Sequence, residues 1–330
     1  MTKRPLIIDC DPGVDDAEAI MILNASNKFD IKGITPVHGN VALETTARNA
    51  LYLRGLYQID CPVAKGAENA LIKVSARAEY AHGANGLAGM EYVLDSEDYH
   101  EKAAWDFIYD TALLCGGELE LIALGPLTNV AIACMKYPKL ASMIKQLTIM
   151  GGGATAGNTT PYAEFNIWQD PHAMAFLLEQ KFRKFVVVDL DACYSAYLTA
   201  DEAAEMSRLG ADNPISELMA KIYNFRSGFW NRKDRPDHIE NKFEGKLFSC
   251  DATAAVVASF PEVATVEKHF MLCEYQSQLT CGQTIVDWRH RFDAEANVEL
   301  VRSLDREEYK RHYFECANSY RVKTEAPENA

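Results

Sequence analysis

The sequence predicts an α/β fold: a single domain built on a mostly parallel, Rossmann-like central sheet with flanking helices. Short apolar runs alternate with helix-forming stretches from the amino terminus onward. This alternation is typical of parallel strands joined by right-handed helical crossovers. No Gly-, Ser- or Pro-rich linker and no internal repeat interrupts the pattern. We therefore expect one domain over residues 1–320, followed by a polar, disordered tail at 321–330.

Each strand of this sheet is predicted from a short apolar run, and each helix from the longer stretch that follows it. PLIID (5–9) predicts the first strand and DDAEAIMILNA (15–25) the first helix. The same reasoning gives a second strand at 32–38 and a second helix at 41–57. Later units, in order, are LELIALG with PLTNVAIACMK (119–136), KQLTIMGGG with a loop (145–153), and KFVVVDL with a helical region (from 184).

Polar stretches follow the ends of these predicted strands. They are DCDPGVDD (9–16), HGN (38–40), LGPLTN (124–129) and GGGATAGN (151–158). Because parallel sheets bind ligands beyond the carboxyl ends of their strands, these stretches should converge on one site. Two further segments, 73–89 and 225–246, are interpreted as loops that cover the site and exclude water.

Composition and charge exclude several classes of function. The chain has 33 Lys and Arg against 47 Asp and Glu, so its net charge of -14 opposes binding to nucleic acid or to an anionic membrane. Nine scattered cysteines without a CxxC pair are typical of reduced thiols in the cytoplasm. The amino terminus lacks a signal-peptide pattern, and no apolar run reaches the roughly 18 residues of a membrane span. These observations predict a cytoplasmic protein with a small-molecule substrate.

The stretch IIDCDPGVDDAEAI (7–20) places four aspartates, Asp9, Asp11, Asp15 and Asp16, around one turn next to the predicted core. Carboxylates this close repel one another and resist ionisation unless a cation compensates. An isolated pair of acids at a helix start is usually a capping pair, but four acids favour a hard divalent cation bound by oxygen atoms. A DxD sequence after the first strand also occurs in magnesium-dependent phosphatases, and that alternative stays open here.

The spacing D-x-D-P-G-x-D-D closely resembles that of the inosine-uridine preferring nucleoside hydrolases, and further segments resemble the same family in the same order. They are HGN (38–40), HGANGLAG (82–89), LGPLTNVAIA (124–133), MGGGATAGNTTPYAEFNIWQDP (150–171), SCDATAAV (249–256) and CGQTIVDW (281–288). The resemblance implies the nucleoside hydrolase fold. It also implies hydrolysis of the N-glycosidic bond of ribonucleosides to free base and ribose, in purine and pyrimidine salvage.

The resemblance further implies a calcium site and a general base. Calcium would be held by Asp11, Asp16, the backbone carbonyl of Leu124, and Asp251. A water and two ribose hydroxyls would complete the oxygen ligands that calcium accepts. Asp11 would in addition take the proton of the metal-bound water that attacks the anomeric carbon, and Asn40 would lie near this water and the sugar.

The ribose contacts are also implied by the resemblance. Asp15 and Asn166 would bind the 2'- and 3'-hydroxyls, and Asn158 and Glu164 would bind the 5'-hydroxyl. Glu164 and Asn166 stand in the stretch AEFN, whose alternation of polar and apolar residues predicts extended chain with both side chains on one face.

The base end of the site departs from the family pattern. Well-studied members carry a His immediately before the last calcium-binding Asp, whereas this chain carries Cys250 and so resembles a Cys-bearing branch. A thiol is mostly protonated at neutral pH, so Cys250 is placed among the catalytic residues as a candidate proton donor. His82 is expected on a lid near the 5' end or the base, and Phe165 and Trp230 are candidates to stack on the base.

Two other functions compete with a calcium-dependent ribonucleoside hydrolase. One is a metal-dependent phosphatase of the DxD kind, and the other is a non-catalytic protein that binds a nucleoside or riboside. The second is disfavoured because Asp11, Asp16, Asp251, Glu164 and Asn166 are all retained. The expected partner is a nucleoside, and the family resemblance implies a homo-dimer or homo-tetramer.

Overall fold

The structure, a computed structural model, describes residues 2–73, 76–94, 96–206, 213–230 and 245–321. Strands and helices alternate along most of this length. In chain order they are β1 (Arg4–Cys10), α1 (Val14–Ala25), β2 (Phe29–Pro36), α2 (Leu43–Leu56), α3 (Glu79–His82), α4 (Ala104–Leu114), β3 (Glu120–Ala123), α5 (Thr128–Lys136), α6 (Leu140–Met143), β4 (Gln146–Met150), α7 (Phe165–Gln169), α8 (Pro171–Leu178), β5 (Phe185–Val188), α9 (Leu190–Ser195), β6 (Leu198–Thr199), α10 (Ala200–Met206), α11 (Pro214–Trp230), β7 (Lys246–Leu247), α12 (Cys250–Ser259), β8 (Ala264–His269), β9 (Met271–Cys273), β10 (Thr284–Val286), β11 (Val298–Leu304) and α13 (Arg306–Asn318).

The central sheet contains seven strands in the order β2-β1-β3-β4-β5-β11-β8. Its pairings are parallel except for the β11–β8 pair at one edge, which is antiparallel. The chain places β2 on one side of β1 and β3 on the other. The switch point of the topology therefore lies between the carboxyl ends of β1 and β3, where open α/β sheets form their binding crevice.

Helices cover both faces of this sheet. Leu6 and Ile8 of β1 enter the core formed with α1, α11, α12 and α13, whereas Ile7 enters the core formed with α4, α5 and α8. Successive side chains of a strand point to opposite faces, so a strand covered on both faces reads as a continuous apolar run. This geometry explains why PLIID predicted a buried parallel strand.

The predicted fold class is confirmed, and the early elements lie where the sequence placed them. The predicted strands at 5–9 and 32–38 correspond to β1 and β2, and the predicted helices at 15–25 and 41–57 correspond to α1 and α2. The antiparallel strand β8 and the β9–β10 hairpin were not predicted.

The two predicted covering loops are only partly loops. The segment 73–89 contains the short helix α3, and its residues 74–75 lie outside the described part of the chain. The segment 225–246 begins inside α11, which continues to Trp230, and residues 231–244 lie outside the described part. Among the residues that are described, no helix is long and apolar enough to cross a membrane.

Candidate active site

The four aspartates of the first turn lie at the carboxyl edge of the sheet, at the switch point. β1 ends at Cys10, and Asp11 follows it directly. Asp16 then caps the start of α1: its carboxylate accepts hydrogen bonds from the backbone N–H of Gly13 at 2.9 Å and of Asp11 at 3.2 Å. Such a cap satisfies N–H groups that a helix start leaves unpaired. The same cap folds the turn so that its carboxylates gather above β1.

Asn40, from the HGN stretch after β2, holds two of these aspartates in place. Its backbone N–H donates to Asp11 Oδ2 at 2.7 Å, and its side-chain amide donates to the Asp11 carbonyl at 3.1 Å and to Asp16 Oδ2 at 3.2 Å. Asn40 is 5% exposed, and Asp11 and Asp16 are fully buried. The predicted convergence of the first two polar stretches is therefore present.

The acidic groups of the site fit a hard divalent cation. Asp15, Asp16 and Asp251 each place one carboxylate oxygen within 4.8 Å of the others. Buried Oδ1 atoms of Asp11, Asp15 and Asp251 have no hydrogen-bond partner. Carboxylate oxygens gathered in this way are the ligands that calcium and magnesium take, and Asp251 reaches the group from the first turn of α12.

Burial makes these carboxylates reluctant to ionise without a cation. Desolvation, followed by the charge of Asp15, raises the pKa of Asp16 to about 7. Desolvation and the neighbouring acids also raise the pKa of Asp11 and of Asp251 well above the usual range of an aspartate. A bound cation would reverse this balance, because opposite charge favours the ionised form.

Leu124 and Asn166 meet beside the acidic group. The Leu124 carbonyl, at the end of β3, accepts a hydrogen bond of 2.7 Å from the Asn166 side-chain amide. The same amide contacts the Met150 carbonyl at 3.2 Å, so Asn166 is anchored to the ends of both β3 and β4. The third polar stretch therefore joins the first two, and Asn158 of the fourth stretch lines one pocket together with Leu124 and Asn166.

Glu164 has a different structural setting from the one predicted. AEFN is not an extended strand: Glu164 is the N-cap of α7, and its carboxylate accepts from the backbone N–H groups of Asn166 (2.9 Å), Gly152 (3.0 Å) and Ile167 (3.2 Å). Burial nevertheless raises its pKa to about 7. The alternation of polar and apolar residues in AEFN wrongly predicted extended chain, because a capping residue has extended backbone geometry just before its helix begins. Glu164 and Asn166 still face one pocket.

His82, Asn158 and Phe165 line that same pocket, whereas Asp11 and Asp16 lie behind its wall. The ring Nδ1 of His82 accepts from the Val14 N–H at 3.2 Å and lies 3.6 Å from Asp15 Oδ1, and burial lowers the pKa of this imidazole. Asn158 Oδ1 accepts from the Phe165 N–H at 3.0 Å. Pocket-lining positions on the other walls include Asp15, Asn40, Leu124, Glu164, Asn166, Cys250 and Asp251. Trp230 ends α11, but its side chain lies outside the described residues.

Cys250 begins α12 at the pocket wall, one residue before Asp251. The thiol of Cys193, on α9, donates to the Cys250 carbonyl at 3.8 Å, a distance suited to sulfur. This contact fixes the backbone of Cys250 beside the acidic group.

Several pocket residues were missed by the sequence analysis. Tyr194 and Phe248 stand edge to face with ring centroids 5.2 Å apart, and Arg226 lies beside them on the wall. Their stretches carry no local motif, since an isolated aromatic or arginine is usually a packing or surface residue. They reach the site from three separate places in the fold: Tyr194 from α9, Arg226 from α11, and Phe248 from the segment between β7 and α12.

Comparisons with known proteins agree with this architecture. A sequence model described as inosine-uridine preferring nucleoside hydrolase matches residues 6–311. A protein of Salmonella agona named non-specific ribonucleoside hydrolase RihC is 35% identical over 316 residues, covering 94% of this chain and 98% of that protein. Two solved structures are similar: a plant nucleoside hydrolase, PpNRh1 (TM-score 0.86, 27% identity, 96% of this chain and 100% of that one), and a purine-preferring ribonucleoside hydrolase from Gardnerella vaginalis (TM-score 0.85, 27% identity, 96% and 99%).

Proposed function

The chain belongs to the inosine-uridine preferring nucleoside hydrolase family, and from this premise we propose that it hydrolyses ribonucleosides to free base and ribose with a calcium ion. The observation that carries the proposal is the buried group of carboxylates at the switch point, whose unpaired oxygens face a pocket lined by further polar side chains. Such a pocket can hold a neutral sugar against a cation.

Asp11, Asp16, Asp251 and the Leu124 carbonyl are the proposed calcium ligands. In the structure Asp15, rather than Asp11, is grouped with Asp16 and Asp251, so Asp15 is close enough to share in binding or to contact the sugar. Asp11 is joined to this group through Asn40, which contacts both Asp11 and Asp16. Calcium, when bound, would supply positive charge that lowers the pKa of a water and would accept oxygen ligands from the ribose diol. Its preference for many oxygen ligands in a flexible arrangement favours calcium over magnesium here.

Asp11 is the proposed general base. Its Oδ2 is occupied by the Asn40 backbone N–H, whereas its Oδ1 is buried and has no hydrogen-bond partner. Oδ1 is therefore the proposed acceptor of the proton from the attacking water. As the water attacks the anomeric carbon, the C–N bond breaks, its electron pair leaves with the base, and the sugar passes through an oxocarbenium-like state.

The other predicted site residues are proposed to hold the nucleoside. Asp15 and Asn166 would bind the 2'- and 3'-hydroxyls, and Asn158 and Glu164 the 5'-hydroxyl. Because the Glu164 oxygens already accept three backbone N–H groups, this carboxylate is rigid and can accept the 5'-hydroxyl without reorganising.

The base is proposed to lie in the same pocket as the ribose, against its aromatic and imidazole side chains. His82 and Phe165 line the pocket walls. Trp230, whose side chain lies outside the described residues, stays a candidate to stack on the base. Cys250 is proposed to assist departure of the base, since the thiol lies on the pocket wall beside the acidic group.

The test is an assay of the purified protein on a panel of ribonucleosides, measured as free reducing sugar. We expect ribose release, loss of activity in chelator, and recovery with calcium. Phosphate release from phosphomonoesters without ribose release would instead indicate a phosphatase, and binding without turnover would indicate a binding protein. Recovery with magnesium but not calcium would refute the choice of ion.

We also propose a cytoplasmic location and a homo-dimer or homo-tetramer. All nine cysteines are free thiols, which favours a reducing compartment. Apolar side chains exposed around the β9–β10 hairpin, including Leu272, Ile285 and Phe292, are compatible with self-association. Light scattering of the eluting protein would give the number of subunits.

A further inference from the structure

Arg226, on α11, is a buried arginine at the wall of the pocket. It is 8% exposed. Among the described residues that line the pocket, it is the one whose side chain carries a permanent positive charge. No step of the proposed reaction uses the Arg226 guanidinium. Removing a charged group from water costs free energy, so its burial calls for an explanation.

The partners of Arg226 form a closed network, which we call the Glu18 network. The Arg226 guanidinium is paired with the Glu18 carboxylate and donates to Ser249 Oγ at 3.4 Å. Ser249 Oγ donates to the same oxygen of Glu18, and the Tyr313 hydroxyl donates to its other oxygen at 2.6 Å. Charged and polar groups are therefore well satisfied, as a buried ion pair requires.

The position of this network matters more than its strength. Glu18 lies on α1 three residues after Asp15, and three residues apart is one face of a helix. Ser249 is the N-cap residue of α12 and precedes Cys250 and Asp251. Arg226 thus links, through side chains, the two segments that supply the acidic group, and these two helices pack directly against each other.

Stability alone does not account for such a pair. Replacing a buried ion pair by apolar residues of similar volume is often neutral or stabilising. The Arg226–Glu18 pair, which lies next to a carboxylate cluster, is therefore better explained by the residues that it holds in position. The three carboxylates of Asp15, Asp16 and Asp251 repel one another before a cation binds. A fixed positive charge behind them offsets part of that repulsion and keeps α12 against α1.

We propose, on the basis of the calcium site proposed above, that Arg226 is a positioning residue that pre-organises this site through Glu18 and Ser249. The network sets the separation between the aspartates of α1 and Asp251 of α12. Residues that orient metal ligands in this way typically contribute about 10- to 100-fold to metal affinity.

The test compares Arg226→Met with a matched control, Arg4→Met. Arg4 is also a partly buried arginine, paired with Glu120 at 2.8 and 3.1 Å and donating to the Ala258 carbonyl of α12, but it lies at the amino end of β1, away from the pocket. Calcium affinity of each chelator-treated protein is measured by titration calorimetry. We expect Arg226→Met to weaken calcium binding about 10-fold or more and Arg4→Met to leave it unchanged.

Two further variants separate positioning from general destabilisation. Arg226→Lys keeps the charge but not the forked geometry, so it should recover part of the affinity. Glu18→Gln keeps the volume and should weaken calcium binding even if Arg226→Met fails to fold. Glu18→Gln combined with Arg226→Met should bind calcium no more weakly than the weaker single variant, because both act through one network.

Three results would overturn the proposal. Calcium dissociation constants of Arg226→Met and Glu18→Gln within twofold of the wild-type value would show that the network does not position the site. An equal loss in Arg4→Met would reduce the effect to general destabilisation. Failure of the wild-type protein to bind calcium at all would refute the underlying calcium site, whereas normal wild-type binding with unaffected variants would refute the role of Arg226 alone.

Discussion

Two aspartates separated by one residue show how position decides the role of a carboxylate. Asp9 accepts hydrogen bonds from Thr35 Oγ1 of β2 at 2.6 Å and from the Asn129 amide of α5 at 2.8 Å. Asp11 accepts from Asn40 instead, and in both carboxylates the Oδ1 atom is buried without a hydrogen-bond partner. Both are buried acids at the end of β1, but Asp11, unlike Asp9, is held by a residue of the pocket wall, Asn40, and it is the proposed base.

Asp11→Asn is expected to abolish turnover of both nucleosides and p-nitrophenyl riboside, because it removes the base and a calcium ligand together. Loss of general base catalysis alone is typically worth about 10² to 10⁴ in rate. Asp9→Asn is the matched control: it should lower the melting temperature but keep kcat within a few-fold, since Asp9 supports the fold. Steady-state kinetics and thermal unfolding of both variants make the comparison, and a large loss of kcat in Asp9→Asn would contradict it.

Cys250→Ala is expected to slow inosine and uridine hydrolysis while sparing p-nitrophenyl riboside. p-Nitrophenolate departs unaided near neutral pH, whereas a purine or uracil anion is a poor leaving group that benefits from a proton. Cys115→Ala, at a half-buried cysteine on the carboxyl end of α4, is the control and should leave both rates unchanged. Unchanged nucleoside rates in Cys250→Ala would mean that this thiol only packs beside Asp251, and equal large losses on both substrates would place it in the metal site instead.

Gly125→Ala tests how closely the backbone after β3 approaches Asp11. A methyl group at this position would lie 2.5 Å from Asp11 Oδ1, closer than real side chains allow, and would push the proposed base out of position. We expect kcat to fall at least about tenfold with little change in far-UV circular dichroism. Gly55→Ala is the control: no atom lies within 4 Å of the added methyl group, and alanine within α2 should raise stability by roughly 0.5–1 kcal/mol. Full activity of Gly125→Ala would disprove the assigned position of Asp11.

At the scale of elements, local patterns predicted the early strands and helices and the meeting of the polar stretches that follow the strands, but not the side-chain pairs formed between distant helices. PLIID and the acids that follow it were sufficient to predict β1, the turn and α1, because burial on both faces and helix capping leave local signatures. Glu164 was misread as part of an extended face, since capping and strand residues share backbone geometry. Arg226 and Glu18 left no signature because their pairing joins α11 to α1, which are far apart in sequence.

The N-cap of α7 gives a pH dependence that can be measured. Burial raises the pKa of Glu164 from its ordinary value of 4.5 to about 7. Between these values the folded protein binds more protons at this site than the unfolded chain, so stability falls as pH rises through this window. Glu164→Gln removes this titration and should flatten the fall in unfolding free energy between pH 5 and pH 8 by up to about 3 kcal/mol, measured by denaturant unfolding in chelator.

Glu274 provides the control for this measurement. It also accepts backbone N–H groups, from Gln276 and Ser277, but these hydrogen bonds lower the pKa of its exposed carboxyl. Its contribution to stability is therefore lost as pH falls, which is the opposite direction. Glu274→Gln should not flatten the decline above pH 5, and an identical response of the two variants would contradict the role of Glu164.

At the scale of the whole molecule, the proposed calcium site joins segments that are far apart in sequence. Asp11 and Asp16 come from the first crossover, Leu124 from the end of β3, and Asp251 from α12 near the carboxyl-terminal part of the fold. The positions of the polar stretches predicted that the acidic turn and the segment after β3 meet, because parallel strands expose their carboxyl ends along one edge, whereas Asp251 was assigned to the site by the family resemblance. A ligand held by all of them binds the folded chain and not the unfolded one.

Calcium should therefore stabilise the entire fold, and the effect should depend on Asp16. A ligand that binds only the native state at 100 times its dissociation constant adds about 2.7 kcal/mol, which for a domain of this size corresponds to roughly 4 °C in melting temperature. Asp16→Ala should abolish this shift, because Asp16 is both a proposed ligand and the cap that folds the acidic turn. Asp60→Ala removes the same charge at an exposed position and should retain the full shift. The measurement is thermal unfolding of the three proteins across a calcium titration. An equal shift in Asp16→Ala would mean that the ion stabilises the protein from another site. A shift lost only in Asp16→Ala would tie the stability of the whole molecule to the acidic turn at the end of β1.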